Sequence, residues 1–103
     1  MFIAMNRFRI TPGKEEEFER IWRERDSKLP GLPGFVSFHL LRGATSETHT
    51  LFASHTIWES RQHFEDWTRS DAFRQAHAKA GGSREIYLGP PQLETFEAVA
   101  GIG

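Results

Sequence analysis

Hydrophobic and polar positions alternate from residue 2 to residue 10, placing Phe2, Ala4, Asn6, Phe8 and Ile10 on one face of an expected strand and Ile3, Met5, Arg7 and Arg9 on the other. Thr11-Pro12-Gly13 breaks that strand. Glu15, Glu16 and Glu17 then fall in the first turn of a helix, where carboxylates face the positive end of the peptide dipoles, and Phe18, Ile21, Trp22, Arg25 and Leu29 follow at helical spacing. Pro30-Gly31-Leu32-Pro33-Gly34 interrupts the pattern. Residues 35–42 and 50–58 read as two strands of a hairpin joined by the polar segment Gly43 to His49. Ser60 is a candidate N-cap for a helix running to about Trp67. Ser70, followed by Asp71, restarts a helix that ends near Gly81-Gly82. A last strand is expected over about Leu93 to Ala100.

Strand, helix, strand, strand, helices, strand is the ferredoxin-like β-α-β-β-α-β order, an α+β plan with an antiparallel sheet. Both faces of the last strand, and of residues 35–42, carry apolar residues. A sheet covered by helices on one side only should be polar on the other. The surplus apolar surface therefore predicts a partner, most simply a second identical subunit.

At 103 residues the chain is long enough for one packed core, and residues 1–103 read as a single complete domain. Thirteen Lys and Arg against fourteen Asp and Glu leave a net charge of −1, which gives no footprint for nucleic acid or an anionic membrane. No cysteine occurs, which excludes disulfide scaffolds, thiolate metal sites and cysteine nucleophiles. No apolar run reaches the roughly 18 residues of a membrane span, and the N-terminal apolar stretch is too short for a signal peptide, so a cytoplasmic location is the default expectation. Phosphate loops, nucleophile elbows and paired acidic sites are absent, leaving hydrolase and kinase chemistry without support.

The candidate chemistry lies on the later helices. Phe73 and His77 are four apart, with Ala76 and Ala80 beside them, so one helical stripe carries a ring, an imidazole and two residues small enough to admit something large. A flat macrocycle against that stripe could take the imidazole as its axial ligand. A closed zinc site is disfavoured, because no second His, Asp or Glu stands at metal spacing there. Asn6, in an apolar strand row, needs a hydrogen-bond partner; backbone or a buried water would serve as well as a ligand. Trp67 follows Phe64 at helical spacing and fits a core anchor on pattern alone. His39, His49, His55 and His63 show no recognisable companion, and Glu15 to Glu17 and Glu65-Asp66 read as solvated helix faces.

Trp58-Glu59-Ser60, Phe64, Trp67, Ser70-Asp71, Phe73 and Ala76-His77, together with Asn6 in the first strand and Pro33-Gly34-Phe35 opening the second, resemble the IsdG-type haem-degrading monooxygenases of the antibiotic biosynthesis monooxygenase superfamily. The resemblance covers most of the chain and implies one ABM domain in a homodimer whose sheets form a dimeric α+β barrel. It further implies that haem, iron protoporphyrin IX, is both cofactor and substrate, opened with O2 and electrons from an external reductase, with release of iron. By that likeness His77 is the metal ligand, Asn6 hydrogen-bonds the distal ligand, and Trp67 presses the macrocycle out of plane, a distortion that redirects its oxidation. Trp22 would line the distal side and Arg25 meet a propionate, with Phe64 and Phe73 completing the pocket wall; Trp22 and Arg25 read equally well as packing and surface charge. Two alternatives stand beside this reading: a cofactorless ABM-type monooxygenase acting on a phenolic or polyketide substrate, and a haem-binding protein that does not turn over.

Overall fold

In the computed structural model, which describes residues 1–25, 29–71, 73–74 and 85–102, the elements run β1 (Phe2–Ile10), α1 (Glu15–Glu24), a 3-10 turn (Leu29–Gly31), β2 (Phe35–Thr45), β3 (Thr50–Trp58), α2 (Arg61–Thr68) and β4 (Gln92–Glu97). The strands form one antiparallel sheet in the order β2-β3-β1-β4, the ferredoxin-like arrangement. Among the described residues no helix is long and apolar enough to cross a membrane.

The alternation in β1 sets the architecture. Phe2, Ala4, Phe8 and Ile10 are buried, and their face receives both helices: Phe18 and Trp22 of α1 meet Phe8, while Phe64 of α2 meets Phe2. Helix α1 starts after Gly13, whose φ of +88° suits glycine. Its first carboxylate is no solvated decoration. Glu15 accepts hydrogen bonds from the Gly13 N–H at 2.9 Å and from the buried Thr50 hydroxyl at 2.7 Å. The Thr50 bond, above all, holds the Glu15 carboxyl below the usual carboxylate range.

Three boundaries differ from the sequence expectation. Helix α1 ends at Glu24 with Arg25 in extended conformation, and Leu29 packs from the 3-10 turn instead of from the helix. Strand β2 continues to Thr45, since Thr45 pairs with Thr50 across an irregularity and their hydroxyls lie 3.1 Å apart. Strand β4 covers Gln92–Glu97 and turns away at Val99 to Ile102. The Ser60 cap is as expected: its Oγ accepts from the His63 N–H at 3.3 Å and lies 2.8 Å from His63 Nδ1. The His63 ring packs over Gly34, where φ is +78° and any Cβ would collide with it.

The opposite face of the sheet has no described element on it. Ile3, Met5, His55 and Ile57 are half-buried there, and Leu41 and Phe96 are exposed.

Candidate active site

On the helix-facing side the buried core divides in two. One cluster contains Phe8, Ile10, Phe18, Phe52 and Ile86; the other contains Phe2, Leu29 and Trp58. Strand register explains the division. The outer rows pair Phe8 with Phe52 and Phe2 with Trp58, whereas the two rows between them pair Asn6 with Ser54 and Ala4 with Thr56. Over β1 and β3 two rows of short side chains thus lie between two banks of rings, with Phe38 and Leu40 of β2 bounding them at one edge and Leu93 of β4 at the other, a strip that can take a flat apolar body.

Asn6 sits at the centre of this strip, half-buried, with Ser54 of β3 on one side and Leu93 of β4 on the other. Thr56 uses its hydroxyl internally, donating to the Ala4 carbonyl at 3.1 Å. The Asn6 amide makes no side-chain hydrogen bond among the described residues. It is a donor and acceptor aimed at whatever enters the strip.

One bank is the α2 side. Trp67 stands 5.4 Å from Trp58 and 6.1 Å from Phe64, and the Phe73 ring meets it edge-on at 4.9 Å. Ser70 fixes the join between Trp67 and Phe73, donating its hydroxyl to the Trp67 carbonyl at 2.6 Å and accepting from the Phe73 N–H at 3.2 Å. The structure therefore assembles Phe64, Trp67 and Phe73 into one aromatic wall.

The other bank is built on α1. The Trp22 ring stacks on Phe38 of β2 at 5.5 Å and 20°, and Arg25 lays its guanidinium over the Trp22 ring, 4.1 Å from the centroid. The Trp22 Nε1 is buried and finds no acceptor among the described residues. Arg25, half-buried just past the helix end, has no carboxylate partner there either, and its burial pulls its pKa below the ordinary arginine value. Its titratable neighbour is Tyr87, whose phenol is pushed up by burial and stays neutral at pH 7. A guanidinium prepared and unneutralised in this way is a receptor for a carboxylate.

Of the predicted residues, Trp22 and Arg25 form one group and Phe64, Trp67 and Phe73 another, Asn6 stands in the β1 row with Ser54 beside it, and His77 lies outside the described residues. Sequence reading missed Phe38 and Tyr87. The apolar run Ile86-Tyr87-Leu88 was the available signal for Tyr87: Tyr87 bridges Ile10 of β1, and Ile86 is buried. A separate groove of about 440 Å³ at the flank of α1, lined by Glu19, Arg23, Leu40, Arg42 and Phe52, is not a rival, because Glu19 already pairs with both arginines at 3.1 and 3.0 Å.

Residues 1–79 match the model of a family described as antibiotic biosynthesis monooxygenase. A heme-degrading monooxygenase of Bacillus cereus is 29% identical over 92 residues, covering 85% of this chain and 81% of that protein. The solved heme-degrader MhuD from Mycobacterium tuberculosis, with two hemes bound in its active site, is 28% identical over 100% of both chains, with a TM-score of 0.72. SnoaB, a cofactor-independent oxygenase from Streptomyces nogalater, shares the fold at 20% identity and a TM-score of 0.70, over 95% of this chain and 92% of its own.

Proposed function

The chain belongs to the antibiotic biosynthesis monooxygenase family and is an oxygen-using oxidoreductase, and from that premise we propose that it is a haem-degrading monooxygenase. The Asn6 amide, with no side-chain hydrogen bond among the described residues and set between two aromatic banks, carries this reading. Relatives named as heme-degrading, one matched over 81% of its length and one over all of it, support it.

The described residues fit the group. A porphyrin is flat, apolar across its centre and carboxylated at one edge, and the strip offers rings on two sides, short residues of β1 and β3 between them and a guanidinium with no carboxylate partner among the described residues. Bound there, haem supplies a redox-active iron and is itself the ring oxidised, with O2 and electrons from an external reductase. His77 would hold the iron. Asn6 would offer its amide N–H to a group bound in the strip, Trp67 would bear on the macrocycle, and Phe64 and Phe73 would support Trp67. Trp22 lines the pocket and orients Arg25 toward a propionate. The uncovered outer face of the sheet packs against a second copy in a homodimer.

Adding hemin should give a saturable Soret band that decays into a new chromophore once ascorbate is supplied with catalase present, and His77→Ala should shift that band by removing the iron ligand. A stable wild-type band would mean a haem carrier. No binding would overturn the haem reading in favour of a cofactorless oxygenase.

Arg25→Ala should weaken hemin binding by about ten- to a hundredfold, the scale of the roughly 1.5 to 3 kcal/mol of a hydrogen bond to a charged group. Arg25→Lys should recover part of that loss, since it restores charge without the planar fork. The titration is to be repeated with the dimethyl ester of the porphyrin. Equal affinities of wild type and Arg25→Ala for free hemin would remove the propionate contact.

A further inference from the structure

We propose that Tyr87 is a further substrate-binding residue, its phenolic hydroxyl closing with Arg25 a two-armed grip on one carboxylate of the bound porphyrin. The proposal rests on the haem reading and adds to that site a residue from outside the helices and the four strands.

The backbone around Tyr87 is fixed before any ligand arrives. The Thr11 N–H donates to the Ile86 carbonyl at 2.8 Å and the Leu88 N–H to the Arg9 carbonyl at 3.0 Å, so Tyr87 is pinned on both sides where it bridges Ile10 at the end of β1. The Thr11 hydroxyl adds a third bond, to the Glu85 carbonyl at 2.6 Å. The Tyr87 ring then packs edge-on against Phe18 at 5.8 Å and lies 6.3 Å from Phe8. The same two rings back Trp22, at 6.1 and 5.9 Å, and Arg25 lies over Trp22. One pair of phenylalanines therefore positions both the phenol and the ring that carries the guanidinium. Arg25 and Tyr87 are each half-buried and close enough for the charge of one to bear on the other.

The hydroxyl is the part of Tyr87 that packing does not explain. A phenylalanine would fill the space against Phe8 and Phe18 equally well. Elsewhere in this chain half-buried and buried hydroxyls are spent on the protein itself: Thr56 donates to the Ala4 carbonyl and Ser70 to the Trp67 carbonyl. The Tyr87 hydroxyl makes no such bond among the described residues. Burial keeps it protonated at pH 7, so it is a donor, and Arg25 beside it is a cation without a carboxylate partner among those residues. A carboxylate has lone pairs for both, and two donors from different elements fix its direction as one alone does not.

The test is a hemin titration of wild type, Tyr87→Phe, Arg25→Ala and the double variant, repeated with the dimethyl ester of hemin. Tyr87→Phe should weaken hemin binding about tenfold, the lower end for a hydrogen bond to a charged group, with an unchanged melting temperature. It should change binding of the ester less than about twofold. In the Arg25→Ala background the same substitution should cost less than about threefold, because both residues act on one carboxylate. Equal hemin affinities of wild type and Tyr87→Phe would overturn the role of Tyr87 while leaving the haem reading in place. An equal loss for hemin and its ester would overturn it too, by reducing the hydroxyl to packing. A wild-type chain that binds no hemin would overturn the haem reading and this inference with it.

Discussion

Asn6→Ala is expected to leave hemin affinity within a factor of about three and to slow ring opening by about a hundredfold, the scale of losing one preorganised polar donor at a reacting centre. The structure separates these two effects. Asn6 has no side-chain hydrogen bond to the described protein, so its removal strands no internal partner and should change stability by less than about 1 kcal/mol. The apolar walls that bind a porphyrin, Trp22 with Phe38 and Trp67 with Phe73, are untouched by the change. What disappears is one donor in the middle of the strip. The loss should therefore appear in the rate of Soret decay at saturating hemin and not in the titration midpoint. Asn6→Gln, which keeps the amide but moves it by a methylene, should recover little. Undiminished decay in Asn6→Ala would remove the distal role, and a large drop in melting temperature would make the residue structural.

Much of this arrangement was legible in the residue pattern, because β1, β3 and α2 each declare themselves locally. Nine alternating residues bounded by Thr11-Pro12-Gly13 define β1, and Ser60 marks the start of α2 through a bond to the backbone three residues on. Where local pattern failed, the deciding interaction lay far along the chain. Gly43 to Thr45 read as loop by composition, yet pairing with Thr50 keeps them in β2. Glu15 read as a surface carboxylate, but Thr50, 35 positions later, captures it. Tyr87 belongs to the site through Ile10, on a single bridge that no periodicity reports. His39 and His55 had no companion in sequence because they are 16 positions apart, and only the hairpin register sets them side by side.

The same long-range dependence makes Trp58 the residue whose loss should cost the fold most. It is fully buried, and its ring lies within 5.9 Å of Phe35, 5.4 Å of Trp67 and 6.2 Å of Phe64, so it is the floor on which the α2 wall stands. Trp58→Ala is expected to lower the unfolding free energy by about 3 to 5 kcal/mol, the range for a large aromatic removed from a core that cannot collapse around the void. Trp58→Phe should cost far less, about 1 kcal/mol. The indole N–H is buried without an acceptor among the described residues, so phenylalanine gives up packing volume but also relieves an unpaired donor that itself costs about 1 to 3 kcal/mol. Urea titrations of the three proteins test the order, and a Trp58→Phe penalty equal to that of Trp58→Ala would show that the N–H is satisfied. The consequence reaches the site through Trp67. With Trp58 gone, Trp67 keeps Phe64 and Phe73 on its flanks but loses its backing, so it can retreat from anything pressed against it. In the proposed reaction that retreat would relieve the pressure of Trp67 on the bound group. Trp58→Ala, assayed at a temperature where it remains folded, should therefore bind hemin with an altered Soret band and degrade it more slowly than Trp58→Phe does.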